Sequence, residues 1–180
     1  MLHQIAFEAI KDLVVSLNCL TVINHSSPGN NKIFVTCDVS DWWTGACLSF
    51  GETWQTAHPV VYDLMQLNAS EQNYPIHEKE LLTIICALNK WCSDLLGTNF
   101  LVYTDHRTLK NFDTQCDLSK QQHWWQEFML QYETNIHYIC SEDNMVTDAL
   151  SWLSPNTFPD ECNKIQAPHQ HWKAAACAVL

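Results

Sequence analysis

Hydrophobic residues in segment 76–92 recur at steps of three and four, the spacing of one face of an α-helix. Pro75 stands at the predicted start, and Gly97 follows the predicted end by a few residues, as is typical of helix boundaries. Glu80 immediately precedes the apolar stripe, so its carboxylate is either a solvated early residue of the helix or a group directed into a cleft. The apolar stripe consists of Leu81, Ile84, Ile85, Leu88 and Trp91.

Shorter runs rich in β-branched and aromatic residues predict five strands. The strands are expected at 33–39, 44–50, 58–62, 100–104 and 135–139. Two further helices are predicted, at 118–132 and 143–152, and the first of them should direct Trp124, Trp125, Phe128 and Tyr132 toward the core. The order βββ–α–β–α–β–α favours an α/β fold, a five-stranded mixed sheet of three antiparallel strands followed by alternating helices and strands, with helices packed on it.

The two ends of the chain differ from this pattern. Residues 2–20 have the spacing of an amphipathic helix, and the turn-forming residues of 24–31 mark a boundary after it. Beyond Ser154 the periodicity decays into Pro, Asn, Gln and His. The predicted organisation is therefore a helix and linker at 1–30, a domain at 31–154 and an irregular tail at 155–180.

Four acidic residues occupy related places in the predicted elements. Asp38 closes the first strand, Glu80 leads the main helix, Asp105 directly follows the fourth strand, and Asp148 lies on the last helix. Strand ends and neighbouring helix starts share one rim of an α/β sheet, so these side chains should meet there. Four adjacent carboxylates would repel one another unless divalent cations lay between them, and hard cations such as Mg²⁺ prefer oxygen ligands. A pair of such ions is suited to phosphodiester hydrolysis.

Composition narrows the class of protein. The content of hydrophobic residues, 47%, is enough for one sizeable core. Nine cysteines form no C-x-x-C pair, so no zinc knuckle is predicted, and reduced thiols are the expectation. Neither a signal peptide nor a membrane-length apolar stretch is recognisable, which favours an intracellular protein with no membrane partner.

The charge balance is acidic, with 9 Lys and Arg against 20 Asp and Glu, a formal net charge of −11. A free-standing nucleic-acid-binding protein usually has a basic surface instead. The acidity is compatible with a carboxylate-rich metal site, or with a module whose basic surface belongs to a neighbouring domain.

The order of the four acids resembles the D-E-D-D set of the ribonuclease H fold. Shorter motifs resemble the RNase H-like domain of gypsy-type long-terminal-repeat retrotransposon reverse transcriptase polyproteins. They are Asp-Val-Ser-Asp at 38–41 with Gly-Ala at 45–46, His-Pro-Val-Val-Tyr at 58–62, residues 71–82 containing His-Glu-Lys-Glu, Thr-Asp-His at 104–106 and Asn-Met-Val-Thr-Asp-Ala-Leu-Ser at 144–151. Together they span most of 33–153 and are specific in combination.

The resemblance implies a fragment of such a polyprotein, acting as a metal-dependent endonuclease that hydrolyses the RNA strand of RNA–DNA hybrids. It implies two Mg²⁺ or Mn²⁺ ions, with Asp38 bridging both, Glu80 and Asp105 sharing one, and Asp148 completing the other. A polymerase domain in cis or in trans is the implied partner, and segment 2–20 resembles the segment that connects the two domains. The implied substrate-binding residues are Ser40, His106, Tyr138 and Asn144.

Several departures from the family pattern leave an alternative open. Trp42-Trp43 replaces a Gly that usually allows a tight turn, so the pair could crowd that turn or the substrate groove. Lys-Gln-Gln-His at 120–123 replaces an Arg-rich helix start, and Trp152 stands where the family has Arg. The alternative is a catalytically silent, degenerate RNase H-like module that only binds a partner or is a relic. No Gly-rich loop or nucleophile constellation supports a third possibility, a small-molecule enzyme.

Overall fold

The computed structural model describes residues 20–115 and 118–151. Residues 2–19 of the helix predicted at 2–20, the tail predicted at 155–180 and Trp152 lie outside the described residues. Five strands are present: β1 (Lys32–Val39), β2 (Trp43–Gly51), β3 (His58–Gln66), β4 (Asn99–Thr104) and β5 (Glu133–Tyr138). The helices are α1 (Ile76–Lys90), α2 (Cys92–Leu95), α3 (Lys120–Met129) and α4 (Met145–Ser151), and 3₁₀ turns cover Glu71–Asn73, Arg107–Thr114 and Ser141–Asp143.

The strands form one mixed sheet in the order β3-β2-β1-β4-β5. The first three strands are an antiparallel meander, whereas β4 runs parallel to β1 and β5 runs parallel to β4. This arrangement confirms the predicted five-stranded mixed sheet. It also places the carboxyl ends of β1 and β4 side by side, because neighbouring parallel strands end at the same edge.

The main core lies between the sheet and α1. Side chains alternate along β1, so Val35 and Cys37 point toward α1, where they join Ile84, Ile85 and Leu88 in one buried cluster. Each fully buried aliphatic side chain of this kind contributes about 1.5–3 kcal/mol to folding. The predicted apolar stripe is therefore the face of α1 that packs on the sheet.

The opposite face of β1 carries Asp38, and α4 packs on that face. The Cα of Asp38 is paired with that of Gly45 on β2. A Cβ atom on Gly45 would meet the backbone oxygen of Thr147 at 2.6 Å. Glycine at position 45 therefore allows α4 to approach the sheet as closely as it does.

Several element bounds differ from the predicted ones. The helix predicted at 76–92 ends at Lys90, because the backbone of Trp91 leaves helical geometry with φ −103° and ψ 24°, and the short helix α2 follows. The helix predicted at 118–132 begins only at Lys120, since Ser119 caps it in a reciprocal capping box with Gln122. Strand β3 continues to Gln66 because β2 pairs with it along its whole length.

The predicted core aromatics divide into two groups. Trp125 and Tyr132 are buried, whereas Trp124 and Phe128 are partly buried and pack against the core from outside. Trp91 is also buried. Among the described residues, no helix is both long and apolar enough to cross a membrane.

Candidate functional site

Three of the four predicted acids come together at the carboxyl end of the sheet. Asp38 is the second-last residue of strand β1, Asp105 follows β4 directly, and Glu80 reaches the same edge from α1. One carboxylate oxygen of each residue lies within 4.8 Å of one from each of the other two. Neighbouring parallel strands thus supply two of the carboxylates, and the helix that covers them supplies the third.

Burial makes this cluster electrostatically unusual. Glu80 is 3% exposed and Asp38 is 6% exposed. Burial, followed by the charges of Asp38 and Asp105, raises the pKa of Glu80 to about 9. Burial also raises the pKa of Asp38, and the charges of Asp105 and Asp148 add to that effect. Concentrated negative charge of this kind is stabilised by a cation.

Asp148 occupies a different position from the other three acids. It lies on α4, its side chain is exposed, and it is not a member of the group of three. Its charge nevertheless contributes to the raised pKa of Asp38, after burial and the charge of Asp105. The structure therefore brings three predicted acids into one cluster and places the fourth within electrostatic range of it.

Three hydroxyl groups donate hydrogen bonds to the cluster. Ser151 Oγ donates to Asp38 Oδ2 at 2.5 Å, and Ser141 Oγ donates to Asp105 Oδ2 at 2.6 Å. Thr104 Oγ1 donates to Glu80 Oε2 at 3.4 Å. Sequence reasoning did not single out these hydroxyls, and the available signal was only that Ser141 and Ser151 flank the segment carrying Asp148.

Two of the predicted substrate-binding residues make hydrogen bonds within the protein. Ser40 Oγ accepts hydrogen bonds from the backbone N–H groups of Trp42 and Trp43, closing the turn between β1 and β2. Asn144 is buried, and its Nδ2 donates to the backbone oxygen of Cys37 at 3.2 Å. Ser40 therefore shapes the turn after Asp38, and Asn144 ties the start of α4 to β1.

The other two predicted substrate-binding residues lie at the rim of the acidic cluster. His106 follows Asp105 directly, and its Nδ1 is 2.7 Å from Thr108 Oγ1. Burial, followed by the nearby His77, lowers the pKa of His106. Tyr138 ends β5, and the guanidinium of Arg107 lies 4.9 Å from the centre of its ring. Arg107 is an exposed cation at this rim that sequence reasoning missed.

The tryptophan pair after the first motif has two different environments. Trp43 is fully buried at the start of β2, whereas Trp42 is 46% exposed. The hydrogen bonds to Ser40 are formed in the turn that carries both residues. The turn therefore forms with both tryptophans present, and Trp42 is the one that is exposed to solvent.

Two aromatic side chains pack on the ring of Tyr103, near the end of β4. His137, next to Tyr138, is exposed and its ring stacks on that of Tyr103 at 5.5 Å between centroids. Trp54 also stacks on Tyr103, at 5.1 Å between ring centroids.

Comparison with known proteins gives a family match. The sequence model of the family described as "RNase H-like domain found in reverse transcriptase" matches residues 29–132. The "Retrovirus-related Pol polyprotein from transposon 297" of Drosophila melanogaster is 35% identical over 147 residues, which cover 81% of this chain and 13% of that protein. The chain thus spans only about an eighth of the length of this curated relative.

Solved structures agree on the fold. A foamy viral protease-reverse transcriptase, solved in complex with dsDNA, has a TM-score of 0.54 at 17% identity, covering 76% of this chain and 29% of that one. RNase H1 from the archaeon Halobacterium salinarum NRC-1 has a TM-score of 0.50 at 12% identity, covering 66% of this chain and 93% of that one. At such identities the likeness shows an RNase H-like fold.

Proposed function

This chain belongs to the family of RNase H-like domains found in reverse transcriptase, and from that premise we propose that it is a metal-dependent endonuclease that hydrolyses the RNA strand of RNA–DNA hybrids. The observation that carries the proposal is the convergence of Asp38, Glu80 and Asp105 at one edge of the sheet. A group of three adjacent carboxylates, two of them buried, is costly unless a cation compensates it, so a catalytic metal site would explain its presence.

The donor set fits Mg²⁺ or Mn²⁺. All three ligands are carboxylate oxygens, which are the donors that hard divalent cations prefer. Asp38, Glu80 and Asp105 would hold the ions, and Asp148 would complete the second of two sites. Divalent ions held there supply charge neutralisation at the phosphate and activation of a water nucleophile.

The residues of the chain prepare the site for that chemistry. The carboxyl group of Glu80, whose pKa lies near 9, is protonated at neutral pH in the metal-free protein and must lose that proton to become a ligand. Asp38 and Asp105, held at strand ends, would fix the position of the ions relative to the backbone. Burial of the cluster limits the access of bulk water, which strengthens the electrostatic interactions inside it.

The rim of the cluster supplies the candidate contacts to the nucleic acid. Arg107 is exposed and is held against Tyr138, so its guanidinium is available to a phosphate group. His106 lies beside it, next to Asp105. Selectivity for RNA would come from contacts to the 2′-hydroxyl and from the shape of the hybrid rather than from base edges.

The acidic composition bears on affinity. Because contacts to phosphates supply most non-specific affinity, a chain with a net charge of −11 should bind a hybrid weakly by itself. A polymerase domain, in cis or in trans, would supply the missing basic surface. The Drosophila relative, in which the matched region is 13% of the protein, leaves ample length for such a domain.

Cleavage of labelled hybrids tests this function. The full chain is incubated at low salt with two hybrids, one labelled on the RNA strand and one on the DNA strand, with Mg²⁺, with Mn²⁺ or with a chelator. We expect metal-dependent cleavage of the RNA strand alone. A folded sample that binds Mn²⁺ but leaves the RNA intact would contradict the proposal and favour the alternative, a catalytically silent binding module.

A further inference from the structure

We propose that Ser151 and Ser141 are positioning residues that set the orientation of the Asp38 and Asp105 carboxylates for metal binding. The inference rests on the proposed function, because it concerns the same cluster. Each serine donates a short hydrogen bond to one oxygen, Oδ2, of its aspartate. Neither serine belongs to the acidic set on which the metal-site prediction was based.

The hydrogen bond from Ser151 is the better defined of the two. Its hydroxyl has a single hydrogen, and two acceptors lie within reach: Asp38 Oδ2 at 2.5 Å and the backbone oxygen of Asp148 at 3.0 Å. The contact to the carboxylate is shorter, and a hydrogen bond to an ionised acceptor is the stronger type. The proton is therefore directed to Asp38, and Ser151 is fully buried, so water does not compete for it.

The effect on Asp38 follows from the geometry of an aspartate side chain. Two rotatable bonds set the position of its carboxylate, and the second of them is broad and poorly defined without a partner. The hydrogen bond from Ser151 holds Oδ2 toward α4, and the backbone of Val39 also hydrogen-bonds to the carboxylate. Each carboxylate oxygen has two lone pairs, so an oxygen that accepts one hydrogen bond can still coordinate a cation. Ser141 restricts Asp105 in the same way from the 3₁₀ turn Ser141–Asp143.

The two serines also couple the metal site to the C-terminal part of the fold. Ser151 is 113 residues from Asp38, and Ser141 is 36 residues from Asp105. Both serines follow β5, whereas the three clustered acids precede α3. The chain must therefore complete its last two elements before two of its ligands are oriented, and a correctly folded sheet with α1 is not sufficient.

Metal binding by serine variants tests this inference without any nucleic acid. Mn²⁺ is titrated calorimetrically into wild type, Ser151→Ala, Ser141→Ala and the control Ser93→Ala. The control removes an exposed Ser–Asp hydrogen bond, to Asp94, whose residues are not part of the cluster. Removal of a group that orients a metal ligand typically weakens metal affinity about tenfold or more. We expect that loss in Ser151→Ala, a loss in the same direction in Ser141→Ala, and wild-type affinity in Ser93→Ala.

Further variants separate the effect of the Ser151 hydroxyl on metal affinity from the effect of side-chain packing. Ser151→Cys keeps the shape of the side chain, with a somewhat larger terminal atom, but replaces the hydroxyl with a weak donor, so it should bind Mn²⁺ as poorly as Ser151→Ala. Where the variants cleave a hybrid, kcat at a fixed low Mn²⁺ concentration should fall and recover at high Mn²⁺, with KM for the hybrid unchanged. Should Ser151→Ala not fold, Ser151→Cys and Ser141→Ala provide the same comparison.

The outcomes distinguish the two proposals. Wild-type Mn²⁺ affinity in folded Ser151→Cys and Ser141→Ala would overturn the positioning role and leave the proposed function standing. If wild type binds Mn²⁺ more tightly than the serine variants but leaves RNA intact, the positioning role would be supported and the proposed function overturned. A folded wild type that binds no Mn²⁺ would overturn both.

Discussion

Gly45 lies so close to Thr147 that a Cβ atom at position 45 would come within 2.6 Å of the Thr147 backbone oxygen. The contact is made by backbone, which cannot rotate away as a side chain could. Because Gly45 is also the cross-strand partner of Asp38, the place where α4 meets the sheet is the place where Ser151 meets the acidic cluster.

We therefore expect Gly45→Ala to shift α4 away from the sheet, lowering the free energy of unfolding by about 1–3 kcal/mol and weakening Mn²⁺ binding. Urea unfolding and metal titration measure the two effects. The matched control is Gly97→Ala, which is strained because Gly97 has φ +74° but has open space around it. It should lose stability and keep its metal affinity. Equal metal affinity in both variants would contradict the account.

The raised pKa of Glu80 predicts how the stability of the metal-free protein depends on pH. The ordinary pKa of this group is 4.5, and in the folded protein it is about 9. Between these values the folded state holds a proton that the unfolded chain has lost. The contribution of this proton to the free energy of unfolding is therefore full below about pH 4.5 and is lost as the pH rises toward 9. Wild type should become less stable across this range.

Glu80→Gln removes the titrating group, so its free energy of unfolding should depend less steeply on pH between 5 and 9 than that of wild type. Urea unfolding at several pH values without metal measures the slope. Glu127→Gln, an exposed residue of α3, is the control and should keep the wild-type slope. Parallel slopes in wild type and Glu80→Gln would show that burial does not hold this proton.

Arg107 is expected to bind a phosphate of the hybrid. Arg107→Gln should weaken binding in a sequence-independent manner and reduce the slope of log affinity against log salt by about 0.9, the value for one phosphate contact. Fluorescence anisotropy with a labelled hybrid at several salt concentrations measures it. Lys32→Gln, an exposed lysine at the opposite end of β1, should leave the slope unchanged. An unchanged slope in Arg107→Gln would place the phosphate elsewhere.

Asn144 offers a test between two roles. If Asn144 is a structural residue that ties α4 to the backbone oxygen of Cys37, Asn144→Ala should lose about 1–3 kcal/mol of stability, the cost of an unpaired buried group. As a substrate contact it would instead raise KM at constant stability. Urea unfolding decides between them, with the exposed Asn135→Ala as control. We expect the loss of stability.

The sequence could predict the acids but not what surrounds them. Asp38 and Asp105 are recognisable because each ends an apolar strand, and Glu80 because it interrupts the edge of an apolar helix face. These are local signals. The bond between Ser151 and Asp38 joins residues 113 apart, so only the packing of α4 on the sheet reveals it. The helix break at Trp91 is equally hidden, since its indole continues the apolar spacing while its backbone leaves the helix.

The most direct test of the central claim compares single-turnover cleavage of an RNA-labelled hybrid by wild type, Asp105→Asn and Glu142→Gln at saturating Mg²⁺. Glu142 is an exposed acid outside the cluster and serves as the control. Because loss of an outer hydrogen-bond partner typically costs 10–100-fold, loss of a ligand should cost about 100-fold or more. We predict that Asp105→Asn, folded as judged by its thermal transition, loses at least that much while Glu142→Gln retains the wild-type rate. Equal rates in wild type and Asp105→Asn would contradict the account, because the cleavage would then not depend on the three-carboxylate cluster.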